Sequence, residues 1–349
     1  MKYIKQIPLL MTALLLLAIS TTAIAQDSTA ASESPKEEKF DPKPAIFHHI
    51  ADAHKFDVLE FFSIPLPCIL YSSQAGGVST FMYGEGKEVN GYKCEEGKVT
   101  RDDKASFLDM SITKNVFSML LSAFLLIYIF TIVTKAYTTN KGKAPTGMQS
   151  LIEVFFVFIR DEVAKPGIGP RYETFMPYLM TIFFFILANN LLGMIPIFPG
   201  GANVTGNISF TLVLAVIAFI IININGTKDY WKHIFWMPGV NVPIKLFMAP
   251  IEFAGVLIKP VALMIRLFAN MTAGHIIVMS LISLIFVFGN AGHSLAGSGL
   301  GMAIAVPFTL FISLIEVLVA FIQPFIFAML TAVFIGMALE EHPHEEAHH

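Results

Sequence analysis

Charge is what this sequence holds least of. Only 14% of its 349 residues are Asp, Glu, Lys or Arg, where soluble domains carry about 25%. That deficit excludes an ordinary soluble enzyme and a disordered chain. A basic excess is missing too: 23 Lys and Arg face 26 Asp and Glu, a formal net charge of −3, so no nucleic-acid partner is expected. Cysteine is scarce, with Cys68 and Cys94 alone. Apolar residues fill the space: 55% of the chain, 32 Phe among the 349 residues, and a mean hydropathy of +0.66. These values describe an integral membrane protein.

The few charges are unevenly spread. From Thr174 to Leu339 they are Lys228, Asp229, Lys232, Lys245, Glu252, Lys259, Arg266 and Glu316 alone. Residues 1–25 read as a secretory signal: Lys2 and Lys5, an apolar core from Ile7 to Ile19, then Ala23-Ile24-Ala25 as a small-residue cleavage site. Residues 26–110 are then an extracytoplasmic segment. Both cysteines fall in it, and an oxidising compartment permits one intramolecular disulfide, Cys68–Cys94. Residues 111–341 form the membrane domain, and 342–349 a His/Glu-rich cytoplasmic tail.

Spans are expected at Ile112–Thr134, Thr174–Ile195 and Thr205–Ile222. The lysine-bearing loop after the first, with Lys135, Lys141 and Lys143, marks the cytoplasmic side. Ser150–Lys165 reads as an amphipathic helix on the inner surface. Two further apolar segments, Phe247–Phe288 and Gly301–Leu339, would each be about 60 Å long as helices, twice the ~30 Å hydrocarbon thickness. Breaking the first at Pro260 leaves a front half too short to cross. The expected fold is therefore all-α, with about five crossings. The last two helices are long, steeply tilted and paired as an antiparallel hairpin, with its turn at Gly289–Gly301 on the outer side.

Polar residues repeat inside that hairpin. Lys245, Glu252, Lys259 and Arg266 are seven apart, so they lie along one slowly drifting stripe, with Asn270 close beside Arg266. Thr309, Glu316 and Gln323 repeat the spacing on the second helix. Snorkelling accounts for Lys245 and Lys259. It does not account for Arg266, far from either helix end, where a charge is functional by default. About a turn centred between Ser294 and Leu295, Arg266 stands level with Gln323, and His275 nearly level with Glu316. His275 points about 180° away from Arg266 round the helix. Ionisable groups at several depths, with Glu252 as a third site, read as a proton or cation pathway.

The run Arg266-Leu267-Phe268-Ala269-Asn270-Met271-Thr272-Ala273-Gly274-His275 resembles the signature of subunit a of F-type ATP synthases. Asn190-Leu191-Leu192-Gly193-Met194-Ile195-Pro196, Lys259-Pro260-Val261 and Gln323 with Phe325-Ile326-Phe327 resemble that family's other landmarks. The resemblance implies a non-catalytic stator subunit without cofactor or metal, in the bacterial inner membrane. Its implied partners are a ring of c subunits, a b-type peripheral stalk and the other synthase subunits. Arg266 matches the essential arginine between two proton half-channels, Glu252 an acid of the cytoplasmic one, and Asn270 and Gln323 the arginine's polar neighbours. His275 and Glu316 fall where members carry a His and an acid in either arrangement. Asn189 and Asn190 are candidate channel-lining residues. Two departures stand out: Gly193 replaces an acid found in some members, and Pro324 follows Gln323 and should kink the helix.

His344-Glu345-Glu346-Ala347-His348 matches the zinc-protease pattern H-E-x-x-H. It follows Pro343 at the very end of the sequence and reads as a solvated tail. A stand-alone secondary transporter would show two related halves, and no such repeat is present.

Overall fold

The computed structural model describes residues 42–59, 62–72, 77–95, 97–101, 107–139, 141–195, 198–237, 241–289 and 294–340. The expected signal peptide and the His/Glu-rich tail lie outside the described residues.

Before the first membrane helix the chain forms short strands, which the sequence reading missed. After α1 (Lys43–Ile50), β1 (Lys55–Leu59) pairs antiparallel with β2 (Phe62–Pro65). β3 (Pro67–Ser72) runs between β4 (Gly77–Met82) and β8 (Leu108–Asp109). β5 (Glu88–Val89), β6 (Tyr92–Glu95) and β7 (Lys98–Arg101) make a third antiparallel sheet. Strand alternation builds the core: Cys68, Leu70 and Ser72 point inward from β3 while Tyr71 points out. Cys68 and Cys94 lie in one apolar cluster with Leu70, Tyr83, Tyr92 and Val99. The disulfide expectation needs correction: both are free, buried thiols. Burial, and then the neighbouring Cys94, push the Cys68 thiol up to about 11, so it stays protonated and unreactive.

His54 ties this unit together, with Nε2 2.9 Å from Asp109 Oδ2 and Nδ1 3.1 Å from the Gly97 carbonyl. Burial works against the Asp109 carboxylate. Hydrogen bonds from Ser111 and the His54 partner outweigh it and hold the group below its ordinary 3.8. A lowered folded value means stability that is present above 3.8 and lost as pH falls through the lower folded value. Cleavage of residues 42–111 by an acid protease is therefore expected to rise as the pH drops below 3.8. In Asp109→Asn it should be high at the start and nearly flat with pH; a parallel pH response in both chains would exclude this role.

Phe56 and Ile64 pack with Phe117, Ala202, Val204 and Phe210, seating the strands on the ends of two membrane helices. The first is α2 (Lys114–Thr139). α3 (Met148–Phe158) continues through a π-helical turn, Ile159–Ala164, into α4 (Lys165–Ile168). The stretch expected to lie on the inner surface is more deeply held than that: Ile159, Val163 and Ala164 are fully or almost fully buried in the main core. A left-handed Gly169 (φ 79°) starts a single 3-10 turn before α5 (Tyr172–Met194).

α6 (Ile208–Ile224) is capped by Asn207, which accepts from the Ser209 N–H. α7 (Lys228–Phe235), capped by Thr227, bends 104° from it. α8 (Val242–Phe288) and α9 (Leu295–Leu339) have 47 and 45 residues. Among the described residues, four helices are long and apolar enough to cross a membrane, and five when α6 and α7 count as one span.

α5 occupies the centre of the core. Leu179, Phe183 and Leu187 pack in one cluster with Ala328, Ala332, Ile335 and Ala338 of α9, whose three alanines let the helices approach closely. Ile182 and Ile186 join Leu214 and Ala218 of α6 with Leu263 and Leu267 of α8. α8 and α9 form the expected hairpin, each continuous through its internal prolines. α9 begins six residues before the expected Gly301, at Leu295, capped by Ser294. The glycines there serve contact rather than a long turn: a Cβ on Gly301 would stand 2.9 Å from the Ile285 backbone.

Candidate functional site

The sequence stripe resolves into three levels along α8 and α9. At one level the His275 Nδ1 lies 3.4 Å from Glu316 Oε1, with side chains 14% and 9% exposed. The antiparallel register therefore brings together the pair that numbering alone had placed nearly level. Gly274 makes room for it: a Cβ there would meet Glu316 Oε1 at 3.0 Å and the rest of the carboxylate just beyond. One turn back, Thr272 Oγ1 donates to the Gly206 carbonyl at 3.3 Å. This level thus adjoins the α5–α6 loop, on which the strand unit sits.

At the second level Arg266 and Asn270 are exposed. Arg266 has no ion pair among the described residues. Ala262, Ala269 and Ala273 are exposed on the same face, a small-residue strip with the guanidinium in its middle. Gln323, expected level with Arg266, is 4% exposed, and no hydrogen bond joins the two among the described residues.

The third level is a cavity of about 290 Å³ lined by Glu252, Lys259, Asp229, His233 and Glu340 with Tyr230 and Val256. Lys259 Nζ lies 5.3 Å from the Phe334 ring centroid, and Lys245 Nζ 4.8 Å from that of Trp236. Both lysines thus have cation–π partners, in keeping with a packing role. Asp229, His233 and Glu340 were not singled out from the sequence. They come from α7 and the end of α9, and only the fold of α7 against the hairpin brings them to Glu252.

Asn189 and Asn190 do not face open space. They are 1% and 0% exposed; Asn189 Nδ2 donates to its own helix at Phe185 O, 2.8 Å, and Asn190 Nδ2 to Ala320 O on α9, 3.1 Å. Among the described residues there is no His/Cys/Asp/Glu group that could hold a metal ion.

A multi-pass helical membrane protein, with ionisable side chains at several levels along one long helical hairpin, belongs to the class that moves ions or protons. The comparisons name the family. Residues 116–336 match the family described as ATP synthase A chain, and residues 45–117 match a domain of unknown function (DUF8433). The chain is 39% identical to ATP synthase subunit a of Chlorobium phaeobacteroides over 310 residues, covering 86% of this chain and 77% of that relative. It is 39% identical to that of Chloroherpeton thalassium, covering 86% and 78%. It is 37% identical to subunit a 2 of Chlorobaculum tepidum, covering 92% and 80%. The chain belongs to the ATP synthase A chain family. Membership places it among the membrane subunits of F-type ATP synthases, in ATP synthesis and proton transport.

Proposed function

We propose that this chain is the non-catalytic stator of the proton motor, passing protons to and from the carboxylates of a c-subunit ring through two half-channels. The observation that carries this reading is Arg266, exposed on a membrane-length helix between small residues. A guanidinium facing lipid is unfavourable by about 3 kcal/mol or more. The exposed face therefore calls for a covering partner that brings an acid, and alanines at 262, 269 and 273 let its helix come close. A ring carrying one carboxylate per subunit meets both needs.

The two other levels supply the routes. Along α8, Glu252 lies about 21 Å from Arg266 toward one end and His275 about 14 Å toward the other. The Glu252 cavity is the cytoplasmic half-channel and the His275–Glu316 pair lines the outer one, with Arg266 between them as the barrier. Gln323 and Asn270 flank the barrier. In this orientation the strand unit lies outside the cytoplasmic membrane of a bacterium and the C-terminus inside, and a b-type stalk holds the subunit against rotation.

Cysteines placed at Ala269 and Ala273 should cross-link under oxidation to a cysteine scanned along the outer helix of the c subunit. A cysteine at Leu120, on the exposed face of α2, should not. Purification of the chain as a monomer, with no ring cross-link from either alanine position, would refute the stator reading.

A further inference from the structure

Pro324 sits inside α9, three residues before Phe327 in the core. In an α-helix the N–H of position 324 would donate to the carbonyl of Ala320. Proline has no N–H, and its ring pushes that carbonyl aside. The carbonyl is deeply placed, with Ala320 0% exposed, where water cannot compensate and an unmatched backbone group is unfavourable. Its partner comes from another helix: Asn190 Nδ2, 3.1 Å away and 130 residues distant in sequence. Because a carbonyl only accepts, the amide edge facing Ala320 must be the NH2, which fixes the side chain's orientation. At Pro307, by contrast, the corresponding residue Ala303 lies on the exposed face.

The geometry points to Asn190 as a positioning residue: its amide replaces the backbone N–H that Pro324 lacks, and holds the turn of α9 between Glu316 and Gln323. Positions 316, 320 and 323 follow one another at helical spacing on one face, and all three residues are buried. A loose Ala320 carbonyl would let that turn unwind and change the depth of Gln323 relative to Glu316. The functional half of this inference rests on the proton-path reading given above; the hydrogen-bond half does not.

A double-mutant cycle in the assembled synthase separates the two halves. Asn190→Leu keeps the side chain's size and removes the donor. Pro324→Ala returns the missing N–H. In membrane vesicles, Asn190→Leu is expected to slow ATP-driven acidification about tenfold, the loss typical of leaving a buried polar group unmatched. It should also shift the pH dependence of the remaining activity and lower the temperature at which the purified complex dissociates. Pro324→Ala alone should stay within about twofold of the parent, and the double variant should match it in rate, pH profile and dissociation temperature. Where Asn190→Leu fails to accumulate, recovery of subunit levels by Pro324→Ala reads the same coupling. Full activity of Asn190→Leu, or no rescue by Pro324→Ala, overturns the proposal. Rescue of stability without rescue of pumping overturns the positioning role. Failure of the stator reading would show separately, as normal pumping by an Arg266→Ala control.

Discussion

Arg266→Lys should abolish ATP-driven acidification in vesicles holding a normally assembled complex, although it conserves the charge. Arg266 is exposed and has no ion pair among the described residues; on the stator reading its counter-charge comes from the ring carboxylates. At about 4 Å and an effective dielectric of 20, the attraction to one passing carboxylate is worth about 4 kcal/mol, nearly three pK units. That is enough to keep the carboxylate ionised while it passes. A lysine in the same apolar setting can give up its proton, and then neither holds the carboxylate nor blocks the route. It also lacks the planar, five-donor fork, which can grip an acid while still bonding to a polar neighbour such as Asn270, one helical turn away. Arg266→Ala should go further. With the barrier gone, protons would pass between half-channels on ring carboxylates without driving rotation. Passive proton leak through the membrane sector should then rise above the parent's while ATP-driven pumping stays at background. Substantial pumping by the alanine variant would refute the gating role.

The parts of this structure that could be read from sequence are those set by local chemistry repeated over long distances. Scarce charge and two apolar runs longer than a bilayer is thick were enough for the α8–α9 hairpin. Antiparallel geometry then set His275 beside Glu316 without any further information. What escaped was tertiary or too short to leave a pattern. β5 and β8 have two residues each, below any readable alternation, and the strands between 55 and 109 are stitched by contacts such as His54 to Asp109. Gly297 and Gly301 looked like part of a turn because their use, letting α9 lie against α8, is visible only once both helices are in place. Asn190 was expected as a channel-lining residue, and nothing in the sequence pairs its side-chain donor with the Ala320 carbonyl of α9, 130 positions away.

Exchanging His275 and Glu316, as His275→Glu with Glu316→His, should restore more ATP-driven pumping than either single change leaves. The argument begins from the 3.4 Å separation and from the burial of both side chains. Replacing His275 alone by Glu puts two carboxylates into one enclosed site, where like charges cannot both ionise and one must take up a proton. Replacing Glu316 alone by His leaves two imidazoles without the acid that orients either of them. Each single change should therefore slow pumping by about a hundredfold or more, the range expected for loss of a positioned proton-transfer group. The exchange keeps one acid and one imidazole in contact, with the same net charge and proton count. Its hazard is steric, because Glu316 packs directly on Gly274 and an imidazole at 316 is broader than a carboxylate. Recovery should therefore be partial, and it should appear in the pH profile of pumping as well as in the rate. A relay that acts as a coupled pair titrates as a unit, so the exchanged protein should regain a profile close to the parent's. If the exchanged protein pumps no better than the worse of the two single variants, with all three assembled to equal levels, the pair is a packing contact and not a step in the proton path.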